Sequence, residues 1–277
     1  MMNIVLLQWI APIAIGLCIG SFLNVCIYRI PLSRSVVFPA SRCAPCGRKL
    51  SWFQNIPVLS WAMLKGRCSC GLTRLSFRYP LVEILTALLI TAVWQLYSPP
   101  LSLLYILVIC GLLVATFVDI DLYIIPDLIS LGGIVIGLIA SASLPSLHGQ
   151  ASWTGGLWYG FIGTLVGGGT LLSVALLGTI VFRKEAMGMG DVKLLAAIGA
   201  FLGWQSIFFI IAVSSLTGAV FGIVQMLGRQ VRWGMPIPFG PFISLGALIY
   251  ILGARQSVDE YFESIRPLFE AIQHYLF

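Results

Sequence analysis

Charged positions divide the chain into long uncharged windows, at 1–28, 84–118, 128–182, 194–228 and 233–254. A membrane-crossing helix needs about 20 predominantly apolar residues, so each window holds one span or two. Turn-forming residues split three of the windows, at Ser98-Pro99-Pro100, at 144–149 (Leu-Pro-Ser-Leu-His-Gly) and at Gly203-Trp204-Gln205-Ser206. The pattern predicts eight transmembrane helices. Gly167-Gly168-Gly169 falls inside the fifth, where it reads as a close-packing point between helices rather than a phosphate loop.

Composition agrees with the pattern. With 59% hydrophobic and 9% charged residues and a mean hydropathy of +0.99, a soluble domain is excluded and an all-α polytopic membrane protein is expected. Residues 1–28 lack the basic start of a signal peptide and read as a retained first transmembrane helix. The chain then divides into helix one (1–30), a basic, cysteine-rich insert (31–80), helices two to eight (81–255) and an amphipathic tail (256–277) placed on the outer membrane face.

Nine of the sixteen Lys and Arg residues lie between Arg29 and Arg78, with no Asp or Glu among them. Placing this insert in the cytoplasm puts fourteen basic residues on that side and only Arg255 and Arg266 on the other, which satisfies the positive-inside rule with both termini outside. Anionic lipid is the expected partner of the insert, and no nucleic-acid partner is expected.

The same topology carries four acids to the cytoplasmic ends of helices. Residues 117–127 (Phe-Val-Asp-Ile-Asp-Leu-Tyr-Ile-Ile-Pro-Asp) hold Asp119, Asp121 and Asp127, and Gly188-Met189-Gly190 precedes Asp191. An acid at the hydrocarbon boundary costs about 2.5–3.5 kcal/mol and marks a functional site by default. The bland alternative is a set of helix caps and solvated loop charges: Asp127 and Asp191 can each cap a first turn. Gly188 and Gly190 suit positive φ or a close backbone approach to Asp191. Lys193 suits either an ion pair with Asp191 or a reach to lipid headgroups.

Of seven cysteines, Cys18, Cys26 and Cys110 sit in apolar surroundings and read as small buried hydrophobes. The other four, Cys43-x2-Cys46 and Cys68-x-Cys70, are separated by twenty-one residues. Four thiolates suit a structural, zinc-ribbon-like zinc site; reduced thiols without metal are the alternative, since disulfides are disfavoured in the cytoplasm.

Gly20-Ser21-Phe22-Leu23-Asn24-Val25 with Tyr28-Arg29 and Pro31, the cysteine pairs, Arg78-Tyr79-Pro80-Leu81-Val82-Glu83, Asp119-x7-Asp127 and Gly188-Met189-Gly190-Asp191-Val192-Lys193 together resemble the bacterial type 4 prepilin peptidases. The resemblance runs in order from about Gly20 to Lys193. It implies an eight-helix inner-membrane aspartic protease that removes the basic leader of prepilins and pseudopilins of type 4 pilus or type 2 secretion systems at the cytoplasmic face. It also implies N-methylation of the new terminus with S-adenosylmethionine, whose binding residues it leaves unknown. The family's two catalytic aspartates fall on Asp119 and Asp191, with Gly188, Gly190, Lys193 and Asp127 in support. The chain departs from the family in the second cysteine pair, which usually has two intervening residues.

Two facing carboxylates can share one proton and divide the work of water attack and leaving-group protonation. A proton-coupled transporter also uses intramembrane acids, but calls for midplane acids on broken helices and inverted repeats, and neither is visible. A non-enzymatic assembly factor docking through the zinc insert leaves the paired acids unexplained.

Overall fold

The structure is a computed structural model that describes residues 2–38, 56–67, 74–183, 187–228 and 237–276. The expected ligand set Cys43, Cys46, Cys68 and Cys70 lies outside the described residues. The chain falls into two compact units, Met1–Val118 and Asp119–Phe277. Described residues form helices joined by short turns, with one isolated β-bridge between Arg67 and Arg74.

The first unit contains α1 (Met2–Arg29), the single turn α2 (Leu59–Met63), α3 (Arg78–Leu96) and most of α4 (Leu101–Leu122). Helix α1 lies close against α3 because small residues let the backbones meet. A Cβ at Gly16 would stand 2.5 Å from Ala87 Cα, and one at Gly20 would stand 2.6 Å from Glu83 Cα. The contact brings together the two polar motifs of this unit: Asn24 Nδ2 donates to the Tyr79 carbonyl (3.1 Å), and buried Glu83 accepts the Val58 N–H (2.7 Å). Arg78 donates to the Phe117 carbonyl and covers the Phe117 ring. Of the cysteines expected in the core, Cys26 is buried and Cys110 half-buried, whereas Cys18 is exposed. Nothing obliges an apolar residue of a membrane helix to face protein rather than lipid.

The second unit contains α5 (Asp127–Ser143), α6 (Trp153–Phe182), α7 (Met189–Leu202), α8 (Trp204–Leu227), α9 (Gly240–Ile249) and α10 (Arg255–Leu276). A π-helical turn, Tyr250–Ala254, joins the last two. Helix α7 is the centre of this unit, packed against α5, α6, α8 and α9, and every residue from Asp191 to Leu202 except Lys193 is buried. It meets α6 where both helices lack side chains: a Cβ at Gly199 would stand 2.1 Å from the Gly163 carbonyl oxygen. Gly167 serves the same contact, since its Cβ would stand 2.4 Å from the Leu195 carbonyl oxygen.

Among the described residues, six helical stretches are long and apolar enough to cross a membrane: Gln8–Arg29, Arg78–Leu96, Leu101–Leu122, Trp153–Val181, Trp204–Leu227 and Gly240–Ile265. The windows expected to give the fourth and sixth spans form α5 and α7, of 17 and 14 residues. At about 1.5 Å per residue, α7 reaches about 21 Å, short of a hydrocarbon core of about 30 Å. The tail begins inside a continuing helix rather than after a break. The aromatic ring of Phe262 packs on Trp204 and Phe208 at the start of α8.

Away from the acids, the turn between α5 and α6 is tied to the end of α7 and the start of α10. The Ser141 hydroxyl donates to the Ala200 carbonyl (2.8 Å), leaving its oxygen to accept from His148 Nε2 (2.8 Å). Arg255 donates to the Leu147 carbonyl at 2.7 Å. Burial and the nearby Arg255 charge push His148 down from 6.5 to about 4.

Candidate active site

Helix α4 ends one turn after Asp119. The Tyr123 N–H donates to the Asp119 carbonyl (2.9 Å), and Tyr123 itself, at φ 56, turns the chain out of the helix into Ile124, Ile125 and Pro126. This fold-back holds the Asp119 side chain inward, where it is 5% exposed. Its Oδ2 accepts the N–H of Gly240, the first residue of α9, at 2.9 Å.

Asp191 is the third residue of α7, and its N–H donates to the carbonyl of the cap residue Gly188 at 3.2 Å. Its side chain is 9% exposed, and Oδ1 is buried with no hydrogen-bond partner among the described residues. Asp119 acts on it electrostatically. Ile125 lies against both Gly190 and Gly240. A Cβ at Gly190 would stand 3.1 Å from Ile125 Cβ, and a Cβ at Gly240 would stand 3.2 Å from Ile125 Cδ1.

The glycines before Asp191 do not use left-handed backbone: Gly188 has φ −71, and Gly190 is absent from the positive-φ residues. Gly190 is instead a close-approach position beneath Ile125, while a Cβ at Gly188 would make only ordinary contact with Asp191 Oδ2, at 3.5 Å. Asp127 opens α5, but its carboxylate meets Lys193 Nζ at 2.7 Å, with side chains 63% and 34% exposed. Lys193 thus bridges α7 to α5. Asp121 is exposed on the last turn of α4. Among the described residues, no three His, Cys, Asp or Glu side chains cluster to hold a metal ion.

Gly240 was not singled out by its sequence. The signal available was local, the Pro-Phe-Gly-Pro run at 238–241 just beyond the basic loop that holds Arg229 and Arg232. Nothing in that run names an acid 121 positions away as the acceptor.

Two buried carboxylates that act on each other electrostatically have the chemistry to share one proton and activate a water. The chain is similar to known proteins along most of its length. The Bacterial Peptidase A24 N-terminal domain matches residues 14–97, and the Type IV leader peptidase family matches residues 106–223. A Prepilin leader peptidase/N-methyltransferase of Aeromonas salmonicida is 36% identical over 280 residues, covering 90% of this chain and 92% of that protein. The protein of that name from Pseudomonas aeruginosa is 33% identical, with 92% and 93% covered. One from Myxococcus xanthus is 41% identical over 215 residues, covering 77% of this chain and 62% of its own length. No solved structure matches the chain.

Proposed function

The chain belongs to the type IV leader peptidase family, and from that premise we propose that it cleaves the leader from prepilins and N-methylates the new terminus, with Asp119 and Asp191 as the hydrolytic pair. The observation that carries the hydrolytic reading is the pair itself: two acids, 5% and 9% exposed, brought within electrostatic reach from the end of α4 and the start of α7. Burying two carboxylates against each other is unfavourable unless they share a proton. That shared proton is the working part of the chemistry.

A water between the carboxylates gives up a proton to one of them as its oxygen attacks the scissile carbonyl. The other carboxyl protonates the developing oxyanion, and the leaving amine takes up a proton as the C–N bond breaks. Buried surroundings strengthen both transfers. The reading extends to eight spans in the bacterial inner membrane, with the pair at the cytoplasmic face and both termini periplasmic; it is supported by the distribution of Lys and Arg. Prepilins and pseudopilins are the substrates, anionic lipids adjoin the basic insert, and Cys43, Cys46, Cys68 and Cys70 hold structural zinc. S-adenosylmethionine supplies the methyl group, and the hydrolytic pair takes no part in that transfer.

The test is cleavage of a peptide carrying a basic leader, Gly and then an apolar stretch. Asp119→Asn and Asp191→Asn keep the side-chain shape but cannot exchange the proton, so each abolishes cleavage, and the double variant is hardly worse than either alone. Methylation of a peptide supplied already cleaved persists in both. Robust cleavage by well-folded Asp191→Asn protein overturns the assignment.

A further inference from the structure

The two aspartates are both buried, but their hydrogen bonding differs. Asp119 Oδ2 receives the Gly240 N–H at 2.9 Å. This N–H opens α9 and belongs to the group at a helix start that has no intrahelical acceptor. A backbone N–H can only donate, so it supports the carboxylate form of the group it meets, as does the positive end of the helix. Asp191 lies in the first turn of α7, but its Oδ1 is buried and receives no hydrogen bond among the described residues, so a charge on that oxygen lacks the donor that Asp119 has.

Other charged groups do not reverse this asymmetry. Asp191 approaches Asp119 from α7. On α5, Asp127 is engaged by Lys193, also of α7; Asp121 lies two residues further along α4 and is exposed. Helix α9 carries no charged side chain.

We propose that the Gly240 N–H is the positioning group of the pair, holding Asp119 as the base that takes the proton from the attacking water and leaving Asp191 as the acid. The proposal rests on the reading of the two acids as the hydrolytic pair. In the first step, the water oxygen bonds to the scissile carbon and its proton passes to Asp119. The carbonyl π pair moves to oxygen, which takes the Asp191 proton. In the second step, the C–N bond breaks and nitrogen takes the proton held by Asp119. One hydroxyl of the diol returns its proton to Asp191 as the carbonyl re-forms, so both acids regain their starting states.

The geometry also requires glycine at this position. A Cβ on residue 240 would stand 2.8 Å from Asp119 Oδ2 and 3.3 Å from its Cγ. No side chain fits there while the carboxylate keeps its place.

The experiment measures cleavage of the leader peptide against pH with the full-length protein. Gly240→Ala lowers kcat by about 10-fold or more, since general base catalysis contributes about 100-fold or more, and leaves KM within about twofold. The low-pH limb of kcat/KM, where the base must be ionised, moves to higher pH. Gly253→Ala, which has nothing within 4 Å of the added Cβ, behaves as wild type. A second variant guards against misfolding: replacing residue 240 by glycolate turns the amide into an ester, deleting the N–H without adding an atom. It gives the same movement of the low-pH limb. Wild-type kcat and an unmoved limb in the ester variant overturn the proposal, as does a loss in Gly240→Ala carried by KM alone. Either result leaves the hydrolytic pair standing if Asp119→Asn and Asp191→Asn are inactive, so the two readings fail separately.

Discussion

Lys193 in the second turn of α7 and Asp127 at the start of α5 meet at 2.7 Å, and their exposure decides what the contact is worth. A pair this open to its surroundings contributes at most about 1 kcal/mol. Asp127→Asn therefore lowers stability by about that amount or less in thermal unfolding and keeps cleavage, and Asp121→Asn retains substantial activity; loss of cleavage in well-folded Asp127→Asn would place the ion pair in the reaction. His148 behaves differently because it is held away from water between Ser141 and the Tyr159 ring. Its folded value of about 4 lies below the ordinary 6.5, so between those limits the unfolded chain binds more protons and stability rises with pH. The thermal midpoint should fall as pH is lowered from about 6.5 to about 4, and His148→Gln should flatten that slope. An unchanged slope in the variant would assign the acid sensitivity to other groups.

At the scale of elements, the contact between α6 and α7 depends on what is missing from both helices. With a Gly199 Cβ already placed 2.1 Å from the Gly163 carbonyl oxygen, Gly199→Leu should force the helices apart and deprive detergent extracts of folded protein, whereas Gly169→Ala, with open space around it, should accumulate normally. Equal yields would show that the helices can separate without unfolding. Helix positions were largely legible in the sequence because uncharged runs and turn residues are local signals: Pro99-Pro100, Pro145 and Gly203 each lie at a helix boundary. Partnerships were not. Lys193 could have turned to Asp191 or to lipid, and its choice of Asp127 depends on how α5 and α7 pack. Gly188 and Gly190 suited positive φ or a close approach to Asp191; neither takes positive φ, and at Gly190 the close neighbour is Ile125. The Gly240–Asp119 hydrogen bond joins residues that no periodicity relates.

Across the whole molecule, the proposed orientation makes a direct prediction. Reporters fused after Lys65, Arg183 or Gln230 should report cytoplasm, and those after Pro99, His148 or Gln256 the periplasm; a cytoplasmic signal at His148 would remove the common face of the acids. The two compact units divide at Val118 and Asp119, within α4, so the helix that carries one member of the pair begins in the first unit. Helix α7 carries the other, and it is both the most enclosed helix of its unit and, at 14 residues, too short to cross a bilayer of about 30 Å unaided. A nascent segment of that kind has little reason to leave the insertion machinery by itself. Joined to α8 through Gly203 alone, it would enter the membrane as half of a helical hairpin and be received by the already inserted α5 and α6. Hydrolytic competence would then arise late in biosynthesis, once α7 has joined α5 and α6 and α9 has brought Gly240 to Asp119.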